Sequence, residues 1–356
     1  MREEIEKSIY EHKRLSDEQS LWLLGDADIW DLARWAHYAR CRDNSPERVT
    51  YQIDLNINYT NECVLGCRFC AFYRSPDDPD GYVLSIPEIL AKVKDTLAIG
   101  GTGILLQGGC NPDLPFKYYT ELLKAIRARY PTIHIHAFSP PEIIAFSKFY
   151  SQPIQNIIGR LIEAGLDSVP GGGAEILSDS VRNRISPKKC TADEWIQVMR
   201  ICHQMGLKTT STMVIGFGET NVERLEHLLR IRDLQDETNG FTAFILWTFQ
   251  SANTNLSEKF EPVGAYEYLR MLAASRLILD NVPHHQVSWI TQGLKVGSIA
   301  LYFGADDISS VMPEENVVSS AGLVYKSDEN EIREVIESSG FKPVKRLTLY
   351  QNILHG

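Results

Sequence analysis

The sequence predicts an α/β protein: a (β/α)8 TIM-type barrel with a helical segment before it and an extension packed on it after. Three observations carry this. Eight short strand-like runs are separated by longer stretches of helical periodicity. Capping signals open several of those stretches. A chain of 356 residues, 44% of them hydrophobic, supplies core enough for a domain of that size.

Residues 1–48 read as helical. Ser16 and Gln19 have the spacing of a capping box, and Gly25 ends that short helix. Asp28 opens a second helix, in which Ile29, Leu32, Ala33 and Ala36 recur at helical spacing. The polar stretch Cys41–Glu47, with its proline, marks a boundary. The period then becomes two: Tyr51, Ile53, Leu55, Ile57 and Tyr59 alternate with Gln52, Asp54, Asn56 and Asn58, which is a strand. Further strand candidates are Gly103–Gln107, Thr132–Phe138, Leu166–Val169, Lys208–Ile215, Phe241–Trp247, Pro283–Trp289 and Ser298–Phe303. Helices lie between them, one opened by Ser85 with Glu88 and another by Thr191 with Glu194. Such alternation predicts parallel strands joined by right-handed crossovers, and eight units predict a closed barrel over residues 49–305. The extension, residues 306–356, carries a helix near Asp328–Ser339 and a possible last strand, Lys342–Tyr350.

A formal net charge of -10 argues against a broad basic face for nucleic acid or an anionic membrane surface. No run of 18 apolar residues exists, and Met1–Glu6 lacks the apolar core of a signal peptide, so a cytoplasmic protein is expected. Seven cysteines are an odd number, and three of them fall within eight residues. That pattern is a ligand cluster in a reducing compartment rather than a disulfide framework.

In a barrel of this kind chemistry sits at the C-terminal ends of the strands. Four unusual segments fall there: Cys63–Cys70, Gln107-Gly108-Gly109, Gly171–Glu175 and Gly216–Glu219. The first has the spacing C-x3-C-x2-C. Its soft thiolates suit zinc or an iron–sulfur cluster. A structural zinc site takes four ligands, and here only Cys110 offers a fourth on the rim. A four-iron cluster on three cysteines would leave one iron open.

The loop resembles that of the radical S-adenosylmethionine enzymes, in which an aromatic residue precedes the last cysteine, as Phe69 does here. The resemblance implies a [4Fe-4S] cluster on Cys63, Cys67 and Cys70, with S-adenosyl-L-methionine on the open iron. It implies further that the backbone of Gln107, Gly108 and Gly109 holds the methionine amino group. By the same likeness, Glu175 contacts the ribose, and Met213–Glu219, including Val214 and Gly216, lines the adenine. Trp195 stands where some relatives carry an arginine for the methionine carboxylate, leaving Arg182 and Arg184 as nearby candidates; Cys41, Cys190 and Cys202 are expected to be ordinary thiols.

The wider sequence is similar to the radical enzymes of the futalosine route to menaquinone, through Ile104–Gly109, His134–Glu142, Ala164–Glu175, Ile231–Thr238 and Phe241–Trp247. This likeness implies abstraction of the ribose C4′ hydrogen of dehypoxanthine futalosine, radical addition to its benzoate ring, and loss of an electron and a proton. The implied partners are that small nucleoside and a reducing electron donor such as flavodoxin or ferredoxin. Aminofutalosine synthase and the deazaflavin (FO) synthase subunits share parts of these phrases; an iron–sulfur or zinc protein without catalysis is the reading from another class. Strand polarity nominates Asn58, His136, Ser139 and Thr210 as substrate contacts or, equally, as hydrogen-bonding groups of the barrel. His134 shares a face with His136 and lies deeper.

Overall fold

A computed structural model describes residues 1–350; the end of the extension, residues 351–356, lies outside the described residues. Ten strands form one parallel sheet. They are β1 (Arg48–Gln52), β2 (Asp54–Asn58), β3 (Gly103–Gln107), β4 (His134–Ala137), β5 (Ser168–Val169), β6 (Lys208–Ile215), β7 (Phe241–Thr248), β8 (His284–Gln286), β9 (Asp307–Ser310) and β10 (Lys342–Lys345). The order is β10-β1-β9-β8-β7-β6-β5-β4-β3-β2.

Strands β1 and β2 are two halves of the run Tyr51–Tyr59, separated at Ile53. The first half pairs with β9 and β10 and the second with β3. One continuous segment therefore joins both ends of the curled sheet, and the ring closes on the eight-strand barrel expected. Helices alternate with the strands, and the predicted capping boxes at Ser16, Ser85 and Thr191 are formed. The N-terminal helix Ile29–Asp43 is tied to the barrel by buried Arg40, whose guanidinium donates to the carbonyls of Ala305 at 2.9 Å and Arg48 at 2.8 Å. Among the described residues no helix is long and apolar enough to cross a membrane.

Three expectations are corrected. Ser298–Phe303 is not a strand: it spans the end of the helix Leu294–Ala300 and the turn after it. The eighth strand is β9, so a barrel ending at residue 305 would lose it; its Asp307-Ile308-Ser309-Ser310 carries one apolar residue and gives no apolar run to read. The run Pro283–Trp289 is a strand only over His284–Gln286, and Trp289 starts a helix. The extension does more than pack on the barrel. β10 joins the edge of β1, and Arg346 then enters the interior, bonded to both oxygens of Asp307 and, at 2.7 Å, to Gln52 Oε1.

Several histidines are buried neutral. Burial pushes His136 and His227 down to about 3 and His203 down to about 4, from an ordinary 6.5. The unfolded chain then binds protons that the folded chain does not. Stability therefore falls as pH drops below about 6.5, by up to about 1.4 kcal/mol per pH unit for each ring, until the folded values are reached. Melting points measured from pH 7 to 4 are expected to fall progressively below about pH 6; a midpoint unchanged between pH 7 and 5 would contradict these burials.

Candidate active site

The cysteine loop leaves β2 at the C-terminal rim and is pinned on several sides. Cys63 N–H donates to Arg74 O at 2.8 Å, Val64 N–H to Cys110 O at 3.0 Å, and Arg68 N–H to Ile185 O at 2.9 Å. Gly109 lies beneath it; a Cβ there would overlap the Glu62 carbonyl and press on Cys63. Cys67 is buried, and Cys63 and Cys70 are partly buried. Burial pushes the Cys67 thiol up to about 12, whereas a hydrogen bond from Cys110 holds Cys63 down to about 6. Cys110 itself is buried under the loop, its thiol 3.9 Å from Pro141 O.

Below the loop a cavity of about 320 Å³ runs into the barrel, within the range of small-molecule sites. Phe69 and Cys70 form its mouth, and Gln107, His136, Glu175, Thr210 and Val214 line its wall. Gln52, Asp54 and Arg346 lie deeper, on the N-terminal side of the strands. Leu105, Ile245, Trp247 and Phe249 supply apolar wall. Of the four segments expected at the rim, Cys63–Cys70, Gln107-Gly108-Gly109 and Gly171–Glu175 each contribute to this wall, and Gly216–Glu219 does not.

Glu175 sits in the left-handed region, φ 40°, and is buried. Its Oε1 accepts from Lys189 Nζ at 2.8 Å, and its Oε2 has no hydrogen-bond partner. The Lys189 ammonium is 5.1 Å from the centre of the Phe69 ring. Burial alone would push Lys189 down, but Glu175 and Cys67 outweigh it and hold the ammonium above its ordinary value. Lys189 is the cation that sequence reasoning missed: Lys188-Lys189 looks like a solvated pair, and only the fold turns the second inward.

The two arginines nominated for a carboxylate do not face the cavity. Arg182 is buried with its guanidinium on the carbonyls of Ala174 (2.6 Å) and Cys190 (2.6 and 2.9 Å), where it braces the Glu175 loop. Arg184 reaches toward Glu223 at the surface, 3.7 Å away. Trp195 is packing, with its indole N–H on Gly172 O at 3.2 Å.

Two nominated substrate contacts lie elsewhere. Ser139 caps the helix Pro140–Phe149, its hydroxyl 2.5 Å from Glu142 Oε2. Asn58 borders a second cavity with Phe72, Tyr82, Lys92 and Glu314, and its Oδ1 accepts from Asn316 at 3.3 Å; Asn56, two residues earlier, faces the main cavity. His136 and Thr210 do line it, although Thr210 Oγ1 also accepts from Gly171 N–H at 2.9 Å. Gly108, Gly109 and Gly216 shape the rim without lining the cavity. The Gly108 N–H donates to Glu142 (3.1 Å), that of Gly109 to Thr60 O (2.9 Å) and that of Gly216, at φ 111°, to Glu219 (3.1 Å).

The residues fit an iron–sulfur cluster with an adenosyl amino acid. The loop carries three soft thiols of the kind that serve as metal donors, and the buried Lys189 ammonium stands beside Phe69 with Glu175 as its partner. Lys189 and Glu175 are paired with each other at 2.8 Å, and Phe69 and Val214 offer apolar surface on the cavity wall.

Comparison with known proteins agrees. The family description "Radical SAM superfamily" matches residues 57–231, and "CofH/MqnC C-terminal region" matches residues 238–354. The chain is 45% identical to the cyclic dehypoxanthine futalosine synthase of Halalkalibacterium halodurans, over 96% of this chain and 92% of that one. It is 42% identical to the protein of the same name from Streptomyces coelicolor, over 96% and 86%. In fold it is similar to the FeFe-hydrogenase maturase HydG of Carboxydothermus hydrogenoformans, with a TM-score of 0.78 at 17% identity, over 98% of this chain and 81% of that one.

Proposed function

Because the chain belongs to the radical SAM superfamily and is a radical SAM enzyme, we propose that its reaction is the cyclisation of dehypoxanthine futalosine in menaquinone biosynthesis. The observation that carries the proposal is the single cavity running from Cys70 to Arg346, joined to near-full-length similarity to relatives of that name. Cys63, Cys67 and Cys70 would hold the [4Fe-4S] cluster, and Lys189 with Glu175 would meet the amino-acid end of S-adenosyl-L-methionine. The bound pair supplies a carbon radical able to abstract hydrogen.

The protein's own part is placement. Its substrate carries both the ribose carbon that loses hydrogen and the ring that is attacked, so the wall must hold the two together; orientation of this kind accounts for about 7–11 kcal/mol of barrier. Asn56, His136, Thr210 and Thr212 offer hydroxyl and amide partners on one side, and Leu105, Ile245 and Trp247 face an aromatic ring on the other. The barrel wall shields the sides of this space from bulk water.

Anaerobic turnover of substrate deuterated at C4′ is expected to place deuterium in 5′-deoxyadenosine and to give the cyclic product by mass analysis. Product formed without that transfer would overturn the proposal. If dehypoxanthine futalosine is inert and a carboxyvinyl ether is consumed instead, the aminofutalosine synthase reading replaces it.

A further inference from the structure

His134 and His136 point to one face of β4, and Ser168 of β5 stands opposite. The Ser168 hydroxyl lies between the two rings, 2.6 Å from His136 Nδ1 and 2.7 Å from His134 Nε2. Ser168 is fully buried, His136 lines the cavity and His134 is half-buried at the N-terminal side of the barrel. Among the described residues the second nitrogen of neither ring makes a side-chain hydrogen bond. The three groups thus form an unbroken line from the cavity toward the far end of the barrel.

We propose that His136, Ser168 and His134 are a proton relay that carries the proton lost at rearomatisation from the inner wall of the cavity toward the N-terminal side of the barrel. This rests on the reaction proposed above. In that reaction the new carbon–carbon bond leaves the attacked ring carbon tetrahedral, still bearing its hydrogen. The C–H bond breaks, and one of its electrons together with the unpaired electron of the ring restores the aromatic sextet. The surplus electron passes to a one-electron acceptor of the iron–sulfur class, and the proton needs a base. His136 Nε2 accepts it, the Nδ1 proton of His136 moves to Ser168 Oγ, the hydroxyl proton moves to His134 Nε2, and the Nδ1 proton of His134 passes to solvent water, to which that residue is partly exposed.

One proton arrangement permits this. Both rings start neutral with the proton on Nδ1, so that His136 donates to Ser168 and Ser168 donates to His134. The opposite arrangement would put a proton on His136 Nε2, facing the cavity and unable to accept. Burial holds both imidazoles below their ordinary pKa, so neither traps the proton as a cation. The charged groups acting on His134 are the Asp167 carboxylate and the Arg127 guanidinium paired with it at 2.5 Å. The line also gives a role to a hydroxyl held between two imidazoles of neighbouring strands.

The first test is independent of activity. Nitrogen-15 spectra of histidine-labelled, cluster-free protein are expected to show His134 and His136 both neutral and both protonated at Nδ1, and Ser168→Ala is expected to release that arrangement. A proton on Nε2 of either ring overturns the relay. The second test uses the reconstituted enzyme with substrate deuterated at C4′. Ser168→Ala is expected to lower cyclic product per 5′-deoxyadenosine by about 10- to 100-fold, while deuterium still enters 5′-deoxyadenosine; Ser168→Thr, which keeps the hydroxyl, restores product. Equal product yields from wild type and Ser168→Ala overturn the relay, whereas a wild type that makes no cyclic product overturns the proposed reaction instead. Should Ser168→Ala not fold, the wild-type tautomers decide.

Discussion

Replacing Cys63, Cys67 and Cys70 together by alanine is expected to reduce bound iron from four atoms per chain to none and to abolish turnover. The loop offers three thiols and the rim no equivalent set: Cys110 is buried below, its thiol hydrogen-bonded to Cys63 and 3.9 Å from Pro141 O, and Cys190 and Cys202 are buried and do not line the cavity. Thiolates are the donors such a cluster uses, and their charge is what the iron neutralises. In the metal-free chain burial favours a neutral Cys67 thiol, so alanine at that position removes no buried charge. Cys110→Ser is expected to keep its iron. Iron and sulfide analysis with electron paramagnetic resonance of the reduced protein gives the answer. Four irons retained by the triple variant would refute the ligand assignment, and loss of iron from Cys110→Ser would add a ligand to it.

What could be seen in the sequence followed the strength of local signals. The loop Cys63–Cys70 is short-range chemistry, complete within eight residues, and the structure holds it on the cavity where the strand before it ends. Strands read from short apolar or β-branched runs, such as β3 and β6, have the bounds expected. β9 did not, because its stabilising partners are distant: Asp307 is bound by Arg346 and Thr50, and the Ser310 hydroxyl accepts from Asp54 N–H at 3.1 Å. A buried polar strand looks like a loop until those partners are known. Ser298–Phe303 was misread for the converse reason, since its Ile299, Ala300, Leu301 and Phe303 make an apolar run too short to tell helix from strand. Ser139 was nominated by strand polarity, yet Glu142 three residues on is the capping-box signal that keeps its hydroxyl at the helix end. Arg182 and Lys189 were a choice that sequence distance could not make. Both are near Glu175 in the chain, and only the loop's path decides which cation braces carbonyls and which stands by the thiols.

Lys189→Met is expected to destabilise the protein by about 3–5 kcal/mol, the usual result of leaving one buried charge of a pair without its partner. Glu175 would keep only Arg182, 3.9 Å from its second oxygen and already bound to three carbonyl contacts of Ala174 and Cys190. S-adenosyl-L-methionine affinity should fall with it, by roughly 100-fold or more if a buried charge-assisted contact worth about 3 kcal/mol is lost. The double variant Lys189→Met/Glu175→Gln separates the two effects. Removing both charges takes away the unpaired carboxylate, so the melting temperature should recover most of the loss. Affinity should not recover, because neither the ammonium for the ligand's carboxylate nor the carboxylate for its amino group is present. Thermal melts of the two variants and equilibrium dialysis with reconstituted protein measure these quantities separately. A double variant that binds S-adenosyl-L-methionine as the wild type does would show that the pair serves the Glu175 loop alone, and the amino-acid end of the ligand would then have to be held by backbone groups of the rim.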